Sequence, residues 1–266
     1  AIAAPARPRS STEVKASLPG PDWRGPLPGT AGLLAIDEAL RVMRAAAELV
    51  PIGRIAEASN ASYLCEVADG LQVIYKPIRG EQPLWDFPDG LWRREVAAWQ
   101  LSHYLALDLV PVTVVRRSGP YAPGSIQLWI NDATDDHYFT LRDRPDLATW
   151  FRQLCLFDLI ANNADRKSGH VLYDSQRCWA IDNGLTFALE DKVRTVLWDF
   201  ADEEFTDAEN DLITLAIDTL GSLFRELLTD DEVTALRLRA RTLQRDGRFP
   251  SPRDDGDWPP YPWPLV

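Results

Sequence analysis

Apolar and polar positions change rhythm along this chain, and the change divides it. Residues 36–50, IDEALRVMRAAAELV, repeat apolar side chains at helical spacing and run into Pro51, which predicts a helix that stops there. Residues 52–78 break into shorter apolar runs, with a polar loop at 58–61, a turn at Asp69 and Gly70, and a β-rich run ending at Lys76. That is a hairpin pattern. A loop with Pro83, Trp85, Phe87 and Pro88 leads into LWRREVAAWQLSHYLAL, residues 91–107, where Val96, Trp99 and Leu105 share a helical face. Strands are expected at 110–115 and, as SIQLWI, at 125–130, with a Gly/Pro turn at 118–124 between them.

The second half is predicted to be mainly helical. In residues 146–163 the apolar positions Leu147, Trp150, Phe151, Leu154 and Phe157 recur at helical spacing, and further helices are expected at 212–228 and 231–243. Between them, VLY at 171–173 and CWAI at 178–181 form a short hairpin around D-S-Q-R. The chain therefore reads as α+β in one integrated domain. It has an irregular arm at 1–33, an N-terminal lobe and hinge at 34–130, a mainly helical lobe containing the hairpin at 131–249, and a Pro/Trp-rich tail at 250–266 docked by its aromatics. The lobes are expected to share a cleft near residues 130–146.

Composition narrows the partners. With 266 residues, 45% of them hydrophobic, the chain can bury a sizeable core. Its net charge of -12 disfavours nucleic acid and anionic lipid as nonspecific partners. No run of apolar residues is long enough to cross a membrane. Cys65, Cys155 and Cys178 show no metal-ligand spacing and read as buried free thiols of a cytoplasmic protein. Residues 199–211 carry seven carboxylates without Lys or Arg, which reads as a solvated loop or helix start, or as a surface for a basic partner.

The candidate chemistry lies in residues 158–187. A hairpin pairing centred near residue 176 sets His170 opposite Asp182 at its open end, and Asp165 enters from the loop after the long helix. Phosphoryl transfer needs a carboxylate near the acceptor hydroxyl, a metal ligand and cations around the moving phosphate. Asp165, Asp182 and Lys167 suit these roles in turn. The string Asp165, Arg166, Lys167, Ser168, Gly169, His170 differs from the protein-kinase pattern D-x-K-x-x-N only at its last position. An imidazole is a poor Mg²⁺ donor beside an oxygen, so His170 leaves open a weaker second metal, a Mn²⁺ preference or another ligand. Upstream, Lys76 can pair nucleotide phosphates and Glu95 can hold Lys76, while Ser59, Asn60 and Ser62 in the loop ASNAS cover phosphates.

Each residue also has a plainer reading. Lys76 and Glu95 alone are ordinary surface charges, Asp165 and Asp182 can be turn residues, and Asn162 or Asn163 can end a helix. Asn163 can alternatively orient Asp165, and Arg166 can bind phosphate or clamp an acidic structural partner. Trp85 and Phe87 read as loop packing.

DLIANNADRKSGHVL followed by AIDNGLTF resembles the catalytic and metal-binding segments of type II phosphatidylinositol 4-kinases, relatives of phosphoinositide kinases and HipA-like protein kinases. YKPIRGEQPLWDFP, REVAAW, GSIQLWI and NNADRKSGH look like landmarks of an actinobacterial branch of that family. The resemblance spans about residues 50–240 and implies an atypical two-lobed protein-kinase-like or phosphoinositide-kinase-like fold. It implies Lys76 as nucleotide lysine, Glu95 as its partner, Asp165 as catalytic aspartate and Asp182 as metal aspartate. Gln127, Leu128, Trp129 and Ile130 would then form the hinge at adenine, mainly through backbone groups, and His170 would occupy the place of a metal-binding Asn. The implied activity is ATP-dependent transfer of the γ-phosphate, with Mg²⁺ or Mn²⁺, to a hydroxyl of a protein, a small molecule or a lipid headgroup. Its rivals are a nucleotide-binding pseudokinase that regulates a protein partner, and a nucleotidyltransferase.

Overall fold

The computed structural model describes residues 13–14, 32–56, 58–121, 123–131, 133–218, 221–253 and 259–266. Most of the expected arm at 1–33 lies outside them. Its described part includes β1 (Glu13–Val14), which runs parallel to a later strand.

Helix α1 (Gly32–Ala45) ends before the expected stop, and Pro51 already belongs to β2 (Val50–Ile55). The cause lies far along the chain: Arg116 donates to the carbonyls of Ala46 at 2.5 Å and Ala47 at 2.8 Å, capping acceptors that another helical turn would have used. Strands β3 (Tyr63–Glu66) and β4 (Gln72–Pro77) form the expected hairpin, joined by a 3-10 turn at Ala68–Gly70. Gly70 there has φ 73°, a left-handed value that glycine adopts without steric cost.

Helix α2 (Leu91–Tyr104) begins at Gly90, and the Glu81 carboxylate accepts hydrogen bonds from the amides of Gly90 and Trp92, both at 2.8 Å. It packs on β5 (Thr113–Arg116) and β6 (Gly124–Leu128), burying Val96, Ala97, Trp99 and Leu101. The six-stranded sheet has the order β1-β2-β3-β4-β6-β5. The β4/β6 register places Lys76 opposite Ser125 and Pro77 opposite Gly124. A Cβ on Gly124 would sit 2.2 Å from the Lys76 carbonyl oxygen. Gly124→Ala should therefore push β6 away from the strand that carries Lys76, costing about 1–3 kcal/mol in denaturant unfolding.

The second half comprises α3 (Tyr138–Leu141), α4 (Ala148–Ala161), the hairpin β7 (Val171–Tyr173) and β8 (Cys178–Ala180), α5 (Asp207–Ile217) and α6 (Asp230–Asp246). Helix α5 starts earlier than the apolar pattern indicates, because Thr206 and Glu209 form a capping box. It ends at Ile217, and residues 221–228 do not continue it; Gly221 opens a 3-10 turn instead. The acidic stretch is thus partly a helix start, and Glu203 and Glu209 pair with Arg152 of α4.

The described part of the tail docks differently from expectation, and Trp258 lies outside the described residues. Tyr261 and Trp263 are exposed, while Pro262 is buried. The carbonyls of Pro260 and Leu265 accept from the amides of Thr195 and Ser168 at 3.1 and 2.8 Å. Phe87 packs beneath Arg94 and Lys192, whereas Trp85 is 85% exposed. The three cysteines are free and buried, and burial pushes Cys65 and Cys178 up to about 12, leaving unreactive thiols. Among the described residues no helix is long and apolar enough to cross a membrane.

Candidate active site

Three distant stretches meet at Lys76. Its Nζ donates to Glu95 of α2 and, at 2.9 Å, to Asp182 Oδ1 in the loop after β8. The second Glu95 oxygen accepts the Asn183 amide at 3.0 Å, so one carboxylate joins the β4 lysine to the Asp182 loop. Burial works against the Lys76 ammonium, but Asp182 and Glu95 outweigh it and hold its pKa above the ordinary lysine value. The Lys76 charge in turn holds the Asp182 carboxyl well below the usual carboxylate range, against the effect of burial. Asp182 adopts a left-handed φ of 55° and keeps half its side chain exposed.

Helix α4 ends on Asn162, whose φ of 57° is the left-handed conformation that often closes helices. Asn163 receives the Asp165 amide at 3.0 Å and donates to Asp158 at 3.0 Å, so it orients the Asp165 backbone. Arg166 is fully buried. Its guanidinium grips Asp158 at 2.9 and 3.0 Å, Asn183 Oδ1 at 2.6 Å and the Ile181 carbonyl at 2.8 Å. Of its two sequence readings, the structural clamp is the observed one: Arg166 ties the Asp165 loop to the Asp182 loop and to α4. Asp158 was missed in the sequence, although a lone carboxylate inside the apolar run LCLFDLIA signals a buried partner.

Asp165 lies 3.3 Å from Lys167 Nζ, with its side chain about a quarter exposed. Burial pushes its carboxyl up to about 6 despite the lysine, and the Asp182 charge adds to the rise. His170 receives the Lys167 amide at Nδ1 (3.3 Å) and sets Nε2 3.4 Å from Asp182 Oδ2. Burial lowers its pKa to about 4, so the imidazole is neutral at pH 7.

These groups border a cavity of about 350 Å³, within the range of small-molecule sites. Lys76, Glu95, Asp165, His170 and Asp182 line one part, and Ser59, Asn60 and Ser62 line another. Gln127, Leu128, Trp129 and Ile130 border it together with Ile74, Leu172 and Ile181, an apolar slot suited to a planar base. Lys167, Asn163 and Arg166 do not border the cavity themselves, and Lys167 reaches it through Asp165, 3.3 Å away. Of the expected cleft span at 130–146, Ile130 borders the cavity, and the rest of the lining comes from residues 55–129 before it and 165–185 after it.

Two details differ from expectation. The Leu128 and Trp129 amides already donate to the Val112 and Gln72 carbonyls at 2.8 and 3.1 Å, so base contact through them would compete with the sheet. The Asn60 side chain accepts the Gln82 amide at 2.8 Å, and Gln82 in turn donates to the Ser59 carbonyl at 2.9 Å. Gln82, absent from the sequence prediction, anchors the loop that borders the cavity.

The donor set fits a hard divalent cation at Asp182, an accessible anionic oxygen ligand. Among the described residues no group of three or more His, Cys, Asp or Glu forms a metal cage. A metal there would draw its remaining donors from nucleotide phosphates and water.

No family model matches the chain. Its fold is similar to that of hydra Fam20, solved with sugar, at a TM-score of 0.51 and 14% identity over 80% of this chain and 88% of that one. The Golgi casein kinase with Mn/ADP bound matches at a TM-score of 0.51 and 11% identity, over 80% of this chain and 75% of that one. At these identities the likeness concerns the fold alone, an α+β, two-lobed kinase-like fold. Sequence similarity reaches further with Protein Rv2133c of Mycobacterium tuberculosis (strain ATCC 25618 / H37Rv), 36% identical over 280 aligned positions. That alignment takes in 89% of this chain and 98% of the other, so this chain belongs to the same family as Protein Rv2133c.

Proposed function

We propose that the protein is an ATP-dependent kinase that transfers the γ-phosphate to a hydroxyl on a protein, a small molecule or a phosphoinositide headgroup. One observation carries this reading: Lys76, Glu95 and Asp182 converge from β4, α2 and the loop after β8 on the cavity that Asp165 borders. The Golgi casein kinase, a fold neighbour, binds Mn and ADP, which supports nucleotide and metal use here.

In this reading the base lies in the apolar slot and Lys76 pairs the nucleotide phosphates. A divalent cation at Asp182, Mg²⁺ or Mn²⁺, would offset phosphate charge. Asp165 takes the proton of the acceptor hydroxyl as its oxygen bonds to the γ-phosphorus. The bond from that phosphorus to the β,γ-bridging oxygen breaks, and ADP leaves. A carboxyl held near 6 is ionised at neutral pH yet more basic than an ordinary one, which suits it to this task. Lys167 beside it balances the charge developing on the transferring group. The net charge of -12 favours a protein or small-molecule acceptor over an anionic bilayer.

The test is incubation with Mg²⁺ or Mn²⁺, cell extract and ATP labelled at either the γ- or the α-phosphate, followed by mass spectrometry of the labelled species. Transfer from the γ-label alone is expected, reduced roughly 10²–10³-fold in Lys76→Met. Transfer of α-label would replace this reading with nucleotidyl transfer, and nucleotide binding without any transfer would replace it with a regulatory pseudokinase.

A further inference from the structure

We infer that His170 is not a metal ligand but a positioning residue, whose Nε2–H faces Asp182 and helps hold that carboxylate toward the cavity. The presence of a metal rests on the kinase reading above; the hydrogen-bond argument does not.

A neutral imidazole has one N–H and one lone-pair nitrogen, and only the latter can bind a metal. At His170 the choice is made by the backbone. The Lys167 amide points an N–H at Nδ1 from 3.3 Å, so Nδ1 must present its lone pair and the proton must sit on Nε2. That Nε2 faces Asp182 Oδ2 at 3.4 Å, longer than a hydrogen bond but close enough for its N–H to turn its positive end to the carboxylate. The other tautomer would set two N–H groups against each other at Nδ1 and two acceptors against each other at Asp182.

The surroundings keep the residue in place. Its carbonyl accepts the Ile181 amide at 2.9 Å, pinning the 3-10 turn Ser168–His170 to the end of the hairpin. Asp182, with its left-handed backbone, is thereby held from both sides, by Lys76 on Oδ1 and by His170 on Oδ2. A metal-bound histidine ordinarily gives its second N–H to a carboxylate or carbonyl. His170 shows the reverse arrangement, with a donor where that acceptor would be. The substitution in the D-x-K-x-x-N string thus exchanges a ligand position for a second support of Asp182.

The chain has three histidines, so long-range ¹H–¹⁵N spectra of protein labelled in histidine are tractable, with His170 assigned by its loss in His170→Gln. The expected pattern is a pyridine-like Nδ1 and a pyrrole-like Nε2, both in the free protein and when saturated with Mg²⁺ and a non-hydrolysable ATP analogue. A pyridine-like Nε2 in the saturated state would overturn the inference. In a Mn²⁺ titration of the analogue complex followed by electron paramagnetic resonance, His170→Ala should keep the number of bound Mn²⁺ and weaken their binding on the order of tenfold. Loss of one Mn²⁺, or unchanged affinity, would overturn it as well. Should the analogue not bind at all, the kinase reading fails, and the spectrum of the free protein still decides the role of His170.

Discussion

Asp165→Asn should leave the fold and nucleotide binding intact while γ-phosphate transfer falls roughly 10²–10⁴-fold. The amide matches the carboxylate in shape, and the Asp165 backbone bond to Asn163 is untouched. What disappears is the group that, in the proposed kinase reading, accepts the hydroxyl proton. In the wild type, transfer should rise as pH passes through about 6 and then level, because the carboxyl held there must be ionised to act. Stability moves the opposite way. A carboxyl raised from 3.8 to about 6 favours the folded state below its unfolded value, and that contribution is lost as pH rises through about 6. Asp165→Asn should therefore be at least as stable as wild type in urea at pH 7. A variant that unfolds more easily there, or that keeps its transfer rate, would remove Asp165 from this role.

Arg166→Ala should destabilise the protein by about 3–5 kcal/mol, a large share of the stability of an ordinary domain. The arginine and Asp158 are both fully buried, so truncation leaves a carboxylate stranded in the core together with the Asn183 and Ile181 oxygens. Paired substitution of Arg166→Met with Asp158→Leu should recover most of the loss, because the penalty comes from the stranded charge rather than from a missing attraction. Urea unfolding midpoints of the single and double variants measure this. If Arg166→Ala costs less than about 1 kcal/mol, the clamp is not what holds the two loops together.

The parts of the site that follow from short-range pattern were legible. The turn D-S-Q-R marked the hairpin, but its pairing is one residue off the register expected from a centre near 176. Val171 pairs with Ala180, so His170 lies opposite Ile181, and Asp182, one residue further on, still comes within 3.4 Å of His170. The β run ending at Lys76 placed that lysine near the end of its strand. Chain separation limited the rest. Arg116 ends α1 from a strand some seventy residues away, and no local signal announces it. The commitment of the Leu128 and Trp129 amides to the sheet depends on register, which composition does not encode. The tail's aromatics suggested docking, but among the described residues the Pro260 and Leu265 carbonyls, buried Pro262 and the packing of Leu265 on the core make the contacts, while Trp263 faces solvent. Arg166 was ambiguous because a buried clamp and a phosphate ligand require the same guanidinium; only the position of Asp158 separates them.

Arg94, the neighbour of Glu95 on α2, is buried against Glu232 at the start of α6 and donates to the Thr186 carbonyl at 2.6 Å. Moving α2 outward to part Glu95 from Lys76 would break this pair and strand its charges, at about 3–5 kcal/mol. With a tenfold population change for each ~1.4 kcal/mol, the displaced state would be outnumbered by between about 10² and 10⁴ to one. The molecule thus waits with its charged array assembled. In the proposed kinase reading, no swing of this helix into place would precede the chemistry.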